Sequence, residues 1–221
     1  MSATVAIVSL AAIGALRLLR AFTTSPSSPP STEAERILQE QHGVPAWPIA
    51  EAPEGQQGRL VGSVRELERT LTAPLTGRAC VYYVVLVEQP AFSGWRECVA
   101  DRRGVAFALE DASGSAVIDP ARASVALAFD HREVIRDPEE ATPGQGAVLA
   151  RHGYHVAGAG RLRFVEAVLS VGERVTVVGT GTRRPYIAAS AELGYRSAAP
   201  TRLQLPASDA APLSIGSHCL R

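Results

Sequence analysis

The chain has 221 residues, and its 22 basic and 22 acidic side chains balance. That balance excludes the broad basic surface that proteins use to bind nucleic acid. Fifteen prolines and 19 glycines favour a turn-rich β domain over a helical bundle.

The first 22 residues indicate a membrane anchor. They carry no charged side chain before Arg17, and Arg20 closes the apolar run. A spanning helix needs roughly 20 residues, a length reached here if Arg17 extends its guanidinium to the interface. Two alternatives stay open, a signal peptide and a buried core helix. An uncleaved anchor is favoured because no positive n-region and no A-x-A cleavage site accompany the run.

The segment after the anchor predicts a tether. Residues 23–31 are rich in serine and proline, a composition that buries little and favours extended chain. Thr32 is placed to cap a short helix over residues 33–41, interpreted as a stalk without a packing partner. The predicted organisation is an anchor over 1–22, tether and helix over 23–57, a β domain over 58–216 and a tail over 217–221.

The domain is predicted to be mainly β, a small β-barrel or sandwich of about seven or eight strands. The uncharged run 79–87 predicts a central strand covered on both faces, and residues 59–62 open the domain before it. The predicted strands are 79–87, 95–99, 105–110, 115–118, 124–129, 164–169 (strand or short helix), 174–178 and an edge strand at 212–215.

Turn and loop signals separate these runs. Residues 63–71 suggest a short charged helix or turn, and 101–104 suggest a turn. Residues 111–114 predict a hairpin connection with Gly114 where a positive φ is tolerated. Residues 136–161 are rich in Gly and Pro and predict the least ordered part, a functional loop, a partly ordered insertion or a variable segment.

Two stretches together resemble a known family. One is Pro-Leu-Thr-Gly-Arg-Ala-Cys-Val-Tyr-Tyr at 74–83, followed by a tryptophan and by Phe-Ala-Leu-Glu-Asp-Ala-Ser-Gly at 107–114. The other is Glu-x-x-Leu-x-x-Gly-x-x-Val-x-Val-x-Gly at 166–179. Over about residues 58–216 they resemble the GIDE, or beside-a-membrane, domain of bacterial membrane proteins and of the MULAN-type mitochondrial RING ubiquitin ligases. Its motif positions, interpreted as structural, are Pro74, Gly77, Cys80, Tyr82, Trp95, Phe107, Asp111, Gly114, Glu166, Gly172, Val175 and Gly179.

The resemblance implies a β-rich domain close to a bilayer, on the extracytoplasmic side in the ligases. Arg17 and Arg20 instead favour the cytoplasmic side by the positive-inside rule, so the side stays open. The ligases also carry a second transmembrane helix and a RING, and ubiquitin transfer depends on the RING. No second apolar span and no RING are found in this sequence, so the ligase label rests on the resemblance alone.

Cysteine and histidine do not form a zinc pattern. The three cysteines are Cys80, Cys98 and Cys219, and none forms a C-x-x-C pair. Cys80 and Cys98 fit strand-like runs as buried thiols, with a disulfide between them left open. His152 and His155 form an H-x-x-H for which solvated loop histidines are favoured over a metal site. We predict neither metal nor cofactor.

Few residues point to chemistry, and no catalytic residue is predicted. Arg183 and Arg184 follow Gly-Thr-Gly-Thr and are weak candidates for binding an anion or a lipid headgroup, with a polar turn as the alternative. Asp111 is interpreted as a turn former rather than an acid or base. The remaining candidates are set aside as core residues or a tail pair: Tyr82, Tyr83, Trp95, His218 and Cys219.

The sequence favours a membrane-tethered, non-catalytic β domain that acts as a binding module at the membrane surface. Its expected partners are the membrane and a protein or envelope component, with no nucleic acid. The alternatives are a ligase-like protein by family resemblance and a membrane-associated hydrolase whose site assembles from distant residues. An oligonucleotide-binding barrel would need a basic aromatic groove, against which the balanced charge argues.

Overall fold

The computed structural model describes residues 30–154, 160–185, 201–208 and 211–217, with side chains in the first helix from residue 34 onward. The predicted anchor over 1–22, tether residues 23–29 and tail residues 218–221 lie outside them. Within the described residues, no helix has both the length and the hydropathy needed to cross a bilayer.

Strands dominate the described residues, which confirms the mainly β prediction. Two α-helices are present, α1 (Pro30–His42) and α2 (Pro143–Arg151), with 3-10 turns at Ile49–Glu51 and Pro138–Glu140. The strands are β1 (Gln57–Glu66), β2 (Leu71–Thr72), β3 (Ala79–Cys80), β4 (Tyr82–Ala91), β5 (Gly94–Gly104), β6 (Phe107–Glu110), β7 (Ser115–Asp119), β8 (Ser124–Ala126), β9 (His131–Ile135), β10 (Leu162–Leu169), β11 (Arg174–Thr180), β12 (Thr182–Pro185), β13 (Thr201–Pro206) and β14 (Ser214–Ser217).

The strands form two main sheets and a small hairpin. The larger sheet has the order β12-β13-β7-β6-β1-β11-β14-β8, the smaller one the order β5-β4-β10-β9, and β2 pairs with β3. Within the described residues neither main sheet closes on itself, because the two outer strands of each order do not pair, so the barrel alternative of the prediction is wrong. Most pairs are antiparallel, and β13–β7 and β14–β8 are parallel.

One hydrophobic cluster joins the two main sheets. In β1 every second residue from Gly58 to Val64 is buried, the period of a strand with one face on the core. The smaller sheet adds residues from the facing side of β4 and β10. The cluster includes Leu60, Val64, Phe107, Leu109, Val175 and Val177 from the larger sheet and Val84, Leu86, Val165, Ala167 and Leu169 from the smaller one.

The opposite face of the smaller sheet carries a second cluster beneath α2. Tyr83, Val85 and Val87 of β4 belong to it, as do Val148 and Leu149 of α2. Strand β4 is therefore covered on both faces, which confirms the prediction for the run 79–87. The boundaries differ, because Val81 separates the short β3 from β4 and β4 continues to Ala91.

Two predicted turns are strand instead. Residues 63–66 continue β1, where Val64 is fully buried and pairs with Leu109 of β6. Residues 101–104 belong to β5, which pairs with β4 as far as Tyr82. Both errors have one cause. Charged residues are typical of turns, but here they lie on strands in which Val64 and Asp101 are buried.

The described part of region 136–161, residues 136–154 and 160–161, contains a 3-10 turn and helix α2, which fits the alternative of a partly ordered insertion. Thr142 caps α2 through a capping box with Gln145, whose side chain accepts a 2.9 Å bond from the Thr142 N–H. The glycine-rich α2 is stabilised by its N-terminal cap and by packing rather than by intrinsic helix propensity. Strand β9 was missed as well, and His155 lies outside the described residues.

The predicted edge strand at 212–215 is interior. Strand β14 pairs with β11 on one side and with β8 on the other. In the 111–114 hairpin, Asp111 N–H donates to the Gly114 carbonyl at 3.0 Å, which confirms the turn. Gly114 does not have a positive φ, so the reason given for that glycine is wrong.

Helix α1 packs on the larger sheet, so the stalk interpretation without a partner is wrong. Ile37 is buried, and Gln41 Nε2 donates to Ser214 Oγ at 3.2 Å. A Cβ on Gly216 would lie 2.8 Å from the Leu38 side chain, so this glycine allows the helix to approach β14 closely. The helix begins at Pro30, which places Thr32 inside it rather than at its cap.

The two glycines of α2 provide a test of how the helix sits on the sheet. A Cβ on Gly144 would lie 1.9 Å from the Pro74 carbonyl oxygen, whereas a Cβ on Gly146 would meet no atom within 4 Å. We expect Gly144→Ala to lower the free energy of unfolding by about 1–3 kcal/mol through overpacking. The matched Gly146→Ala should raise it by up to about 1 kcal/mol. Urea unfolding measures both, and equal effects would contradict the close approach.

Candidate functional site

The densest group of chemically active side chains surrounds Asp101 on β5. This carboxylate is 3% exposed, and its Oδ2 accepts hydrogen bonds from Tyr83 Oη at 3.2 Å and from Arg151 Nη1. Arg151 Nη1 also donates to Tyr83 Oη at 3.2 Å. The three groups therefore form a closed triangle that joins β4, β5 and the last residue of α2.

The second oxygen of Asp101 faces one histidine and one arginine side chain. His152 Nε2 lies 3.2 Å from Oδ1, and Arg103 Nε lies 3.7 Å from it. Burial raises the pKa of Tyr83, and the charge of Asp101 raises it further. Burial alone would lower the pKa of Arg151, but Asp101 and Tyr83 outweigh it and raise the pKa. Tyr83 is thus protonated and Arg151 charged at neutral pH.

An imidazole held by a buried carboxylate is also the arrangement of a general base. Among the described residues, however, no hydroxyl or thiol is hydrogen-bonded to His152, and the carboxylate already has a full set of donors. The group has a plain structural effect, because it fixes the C-terminal end of α2 to the sheet. We assign it that role.

Sequence reasoning missed this group. Asp101 was placed in a turn and Tyr83 in the core without a partner. The available signal was position: Asp101 follows Val99 by two residues on the same strand, so both point to the same buried side. An acidic residue at such a position requires a cationic or hydrogen-bonding partner.

A second buried carboxylate holds the loop before β3. Glu166 of β10 is fully buried, and its oxygens accept bonds from Leu75 N–H at 2.8 Å and from Thr76 Oγ1 at 2.7 Å. Arg78 closes the loop by a bidentate pair with Asp130 at 2.6 and 2.7 Å. The motif position Glu166 is thus an acceptor for an irregular backbone segment.

Asp111 organises the β6–β7 hairpin and a segment far from it in the chain. Its Oδ1 accepts bonds from Ser113 N–H, Ser113 Oγ and Gly114 N–H at 2.6–2.9 Å. Its Oδ2 accepts from Ile49 N–H at 3.0 Å, which fixes the 3-10 turn before β1. Burial alone would raise the pKa of Asp111, but these hydrogen bonds outweigh it and lower the pKa below its ordinary value.

The two arginines proposed for anion binding lie on β12. Arg183 Nη2 donates to the carbonyls of Ala50 at 2.6 Å and Ala52 at 3.2 Å, so it caps the same segment that Asp111 holds. Arg184 is exposed. Binding of an anion or lipid headgroup by these arginines stays a prediction.

Trp95 is not a core residue, which contradicts the interpretation from sequence. It is half-buried on β5, with Arg163 Cζ 4.5 Å and Arg161 Cζ 5.3 Å from the ring centroid. Arg163 pairs in turn with Glu88. Tyr82 and Phe107, in contrast, are buried in the cluster between the sheets.

The fold covers the two described cysteine side chains wholly or in part. Cys80 is buried, and Cys98 is half-buried with its Sγ 3.2 Å from the Val87 carbonyl oxygen. Both are free thiols, so the disulfide left open by the sequence is absent. Burial, with a smaller effect of Glu166, raises the pKa of Cys80 to about 11, so this thiol is not ionised at neutral pH.

The remaining motif positions have conformational or packing roles. Gly77 and Gly172 have φ values of +69° and +89° in turns. A Cβ on Gly179 would lie 2.7 Å from the Leu213 side chain, so this glycine allows close packing in the larger sheet. The carbonyl oxygen of Pro74 lies against Gly144 of α2. Val175 is fully buried.

Comparison with known families confirms the resemblance drawn from the motifs. Residues 89–195 match the family model GIDE, described as E3 Ubiquitin ligase. The match spans 107 of the 221 residues, just under half of the chain, and includes the motif positions from Trp95 to Gly179. No curated protein and no solved structure matches the chain.

The lowered pKa of Asp111 predicts a pH-dependent stability. A folded-state pKa below the ordinary value of about 3.9 means that the ionised form favours folding above that pH, and that this contribution is lost as pH falls through the folded pKa. Asp111→Asn should therefore unfold at lower urea concentration at pH 7, with a smaller difference at about pH 3. Asp119→Asn is the control, because Asp119 accepts one N–H, from Ala121, and joins no distant segment. A difference independent of pH would contradict the argument.

Proposed function

We propose that this chain is a membrane-tethered, non-catalytic β domain that acts as a binding module at the membrane surface. The observation that carries the proposal is the packing of α1 on the larger sheet through Ile37 and Gln41. Because α1 belongs to the folded body, the seven residues 23–29 are what separates the predicted anchor from that body. Seven extended residues reach about 25 Å at most.

A short tether determines what the domain can contact. If residues 1–22 lie in a bilayer, the start of α1 stays within about 25 Å of its surface. Such a domain meets lipids and membrane proteins at high effective concentration. The match to GIDE agrees with this placement, since that family is linked to membrane proteins. The side of the membrane stays open between the two predictions.

The acidic groups that join distant segments support a non-catalytic role. Asp101, Glu166 and Asp111 each accept several donors, and each joins segments distant in the chain. Groups that satisfy one another in this way stabilise the fold. The hydrolase alternative would need His152 to meet a nucleophile, and among the described residues none is bonded to it.

The tether predicts a specific fractionation. The full chain should stay in the membrane pellet after carbonate extraction, and the chain lacking residues 1–22 should move to the supernatant, because the apolar run supplies the insertion energy. Deletion of residues 23–29 is the matched control and should leave the chain in the pellet. Release of the full chain by carbonate would contradict the proposal.

Ubiquitin transfer is the second candidate function, favoured by the description of the matching family as E3 Ubiquitin ligase. A RING recruits its conjugating enzyme through a surface held by zinc, which needs paired Cys and His ligands. The three cysteines of this sequence do not provide that spacing. Any ligase activity would therefore need a further zinc-binding partner or a different mechanism.

We expect no ubiquitin transfer from this polypeptide alone. The measurement is a reconstituted assay with a panel of conjugating enzymes and an authentic RING ligase as positive control. Ubiquitin chains that require this protein and persist after Cys219→Ala would refute the expectation and establish the ligase function instead.

A further inference from the structure

Among the residues that the structure describes, the aromatic side chain at the tip of the β4–β5 hairpin is fully exposed. Phe92 has 111% relative exposure, and its neighbours from Pro90 to Gly94 are exposed as well. A two-residue connection needs no aromatic group for its own geometry. We therefore consider this phenyl ring, together with the half-buried Trp95 on the same hairpin, as a candidate contact with something outside the chain.

Cationic side chains surround the base of this tip. Arg161 and Arg163 lie over the Trp95 ring at 5.3 and 4.5 Å, and Arg96 is exposed beside it. Two carboxylates oppose them: Glu88, which pairs with Arg163, and the exposed Glu97. The eight residues 89–96 carry one positive and no negative charge.

We propose that the β4–β5 tip, residues 89–96, inserts Phe92 into the interface of the bilayer to which residues 1–22 anchor the chain, with Trp95 and the arginines at the headgroup level. Aromatic rings with cationic neighbours suit that interface, where the ring leaves water and the charge meets anionic headgroups. The bilayer is the occupant that the chain itself supplies, because the tether of residues 23–29 holds the domain close to it. The inference rests on the proposed tethering and adds the surface that faces the lipid.

The test uses the full chain reconstituted in vesicles of phosphatidylcholine with or without phosphatidylglycerol. Trp47→Phe leaves Trp95 as the only tryptophan, and lipids brominated near the headgroup then report its proximity by quenching its fluorescence. We expect quenching that increases with phosphatidylglycerol and decreases in high salt. Phe92→Asp in this background should reduce the inserted population about tenfold or more, since burial of one Phe side chain contributes at least that factor.

A matched variant separates the insertion of Phe92 from the general effect of adding a negative charge to the surface. Val134 on β9 is also an exposed hydrophobic residue, at 41%, on the opposite edge of the smaller sheet. Val134→Asp should leave the quenching unchanged, and circular dichroism should show both variants folded. Quenching that is absent, or equal in the Phe92→Asp and parent proteins, would overturn the inference.

If the chain is not tethered to the membrane, the experiment gives a different result from a failure of the hairpin contact. If the full chain does not float with the vesicles, the proposed function fails before any quenching is measured. Floating vesicles with unquenched Trp95 leave the tether intact and refute the hairpin contact alone, with a protein partner as the remaining occupant of the tip.

Discussion

The carboxylate of Glu166 is the group on which the smaller sheet and its covering layer depend. It lies fully buried in the middle of β10, between Val85 of β4 and His131 of β9. A buried carboxylate is costly unless donors compensate it, and here the donors come from Leu75 and Thr76 of an irregular loop. Because an unpartnered charge at this position is so unfavourable, the sheet and the loop must form together.

The loop that Glu166 holds, which contains Pro74 and Leu75, also contacts α2. Gly144 at the start of α2 rests on the carbonyl of Pro74, and Arg151 at its end pairs with Asp101 on β5. The helix is thus fixed by close packing at its start and by an ion pair at its end, with Val148 and Leu149 buried between them. A nine-residue helix with two glycines has little stability of its own. Tertiary contacts therefore supply the order that its composition does not predict.

The difference between local sequence pattern and tertiary contact explains how much of this fold the sequence predicts. Strands β4, β6 and β11 were recognised because apolar residues repeat with the strand period or run without a charge. The pattern predicts too short a β5 and too short a β1, because the charged side chains of Arg102, Arg103 and Arg65 are also typical of turns. In the Asp101 group, the hydrogen bond between Arg151 and Tyr83 joins residues 68 positions apart, and no local pattern encodes such a contact. Asp111 was correctly assigned to its turn, but its bond to Ile49 needed the three-dimensional structure.

The distribution of polar groups also bears on function. The motif residues Glu166 and Asp111 act inside the domain, where they hold Leu75 and Ile49 in place. Positions that serve the fold in this way carry the resemblance to GIDE without specifying a ligand. In the proposed binding module, specificity would come from residues that the fold does not use, and Phe92 and Arg184 are exposed residues of this kind. Phe92 stands on a hairpin whose base is held by the contact between Trp95 and Arg163. In the proposed membrane contact, this held base limits the backbone freedom that the hairpin would lose, and that limit favours binding even when the contact area is small.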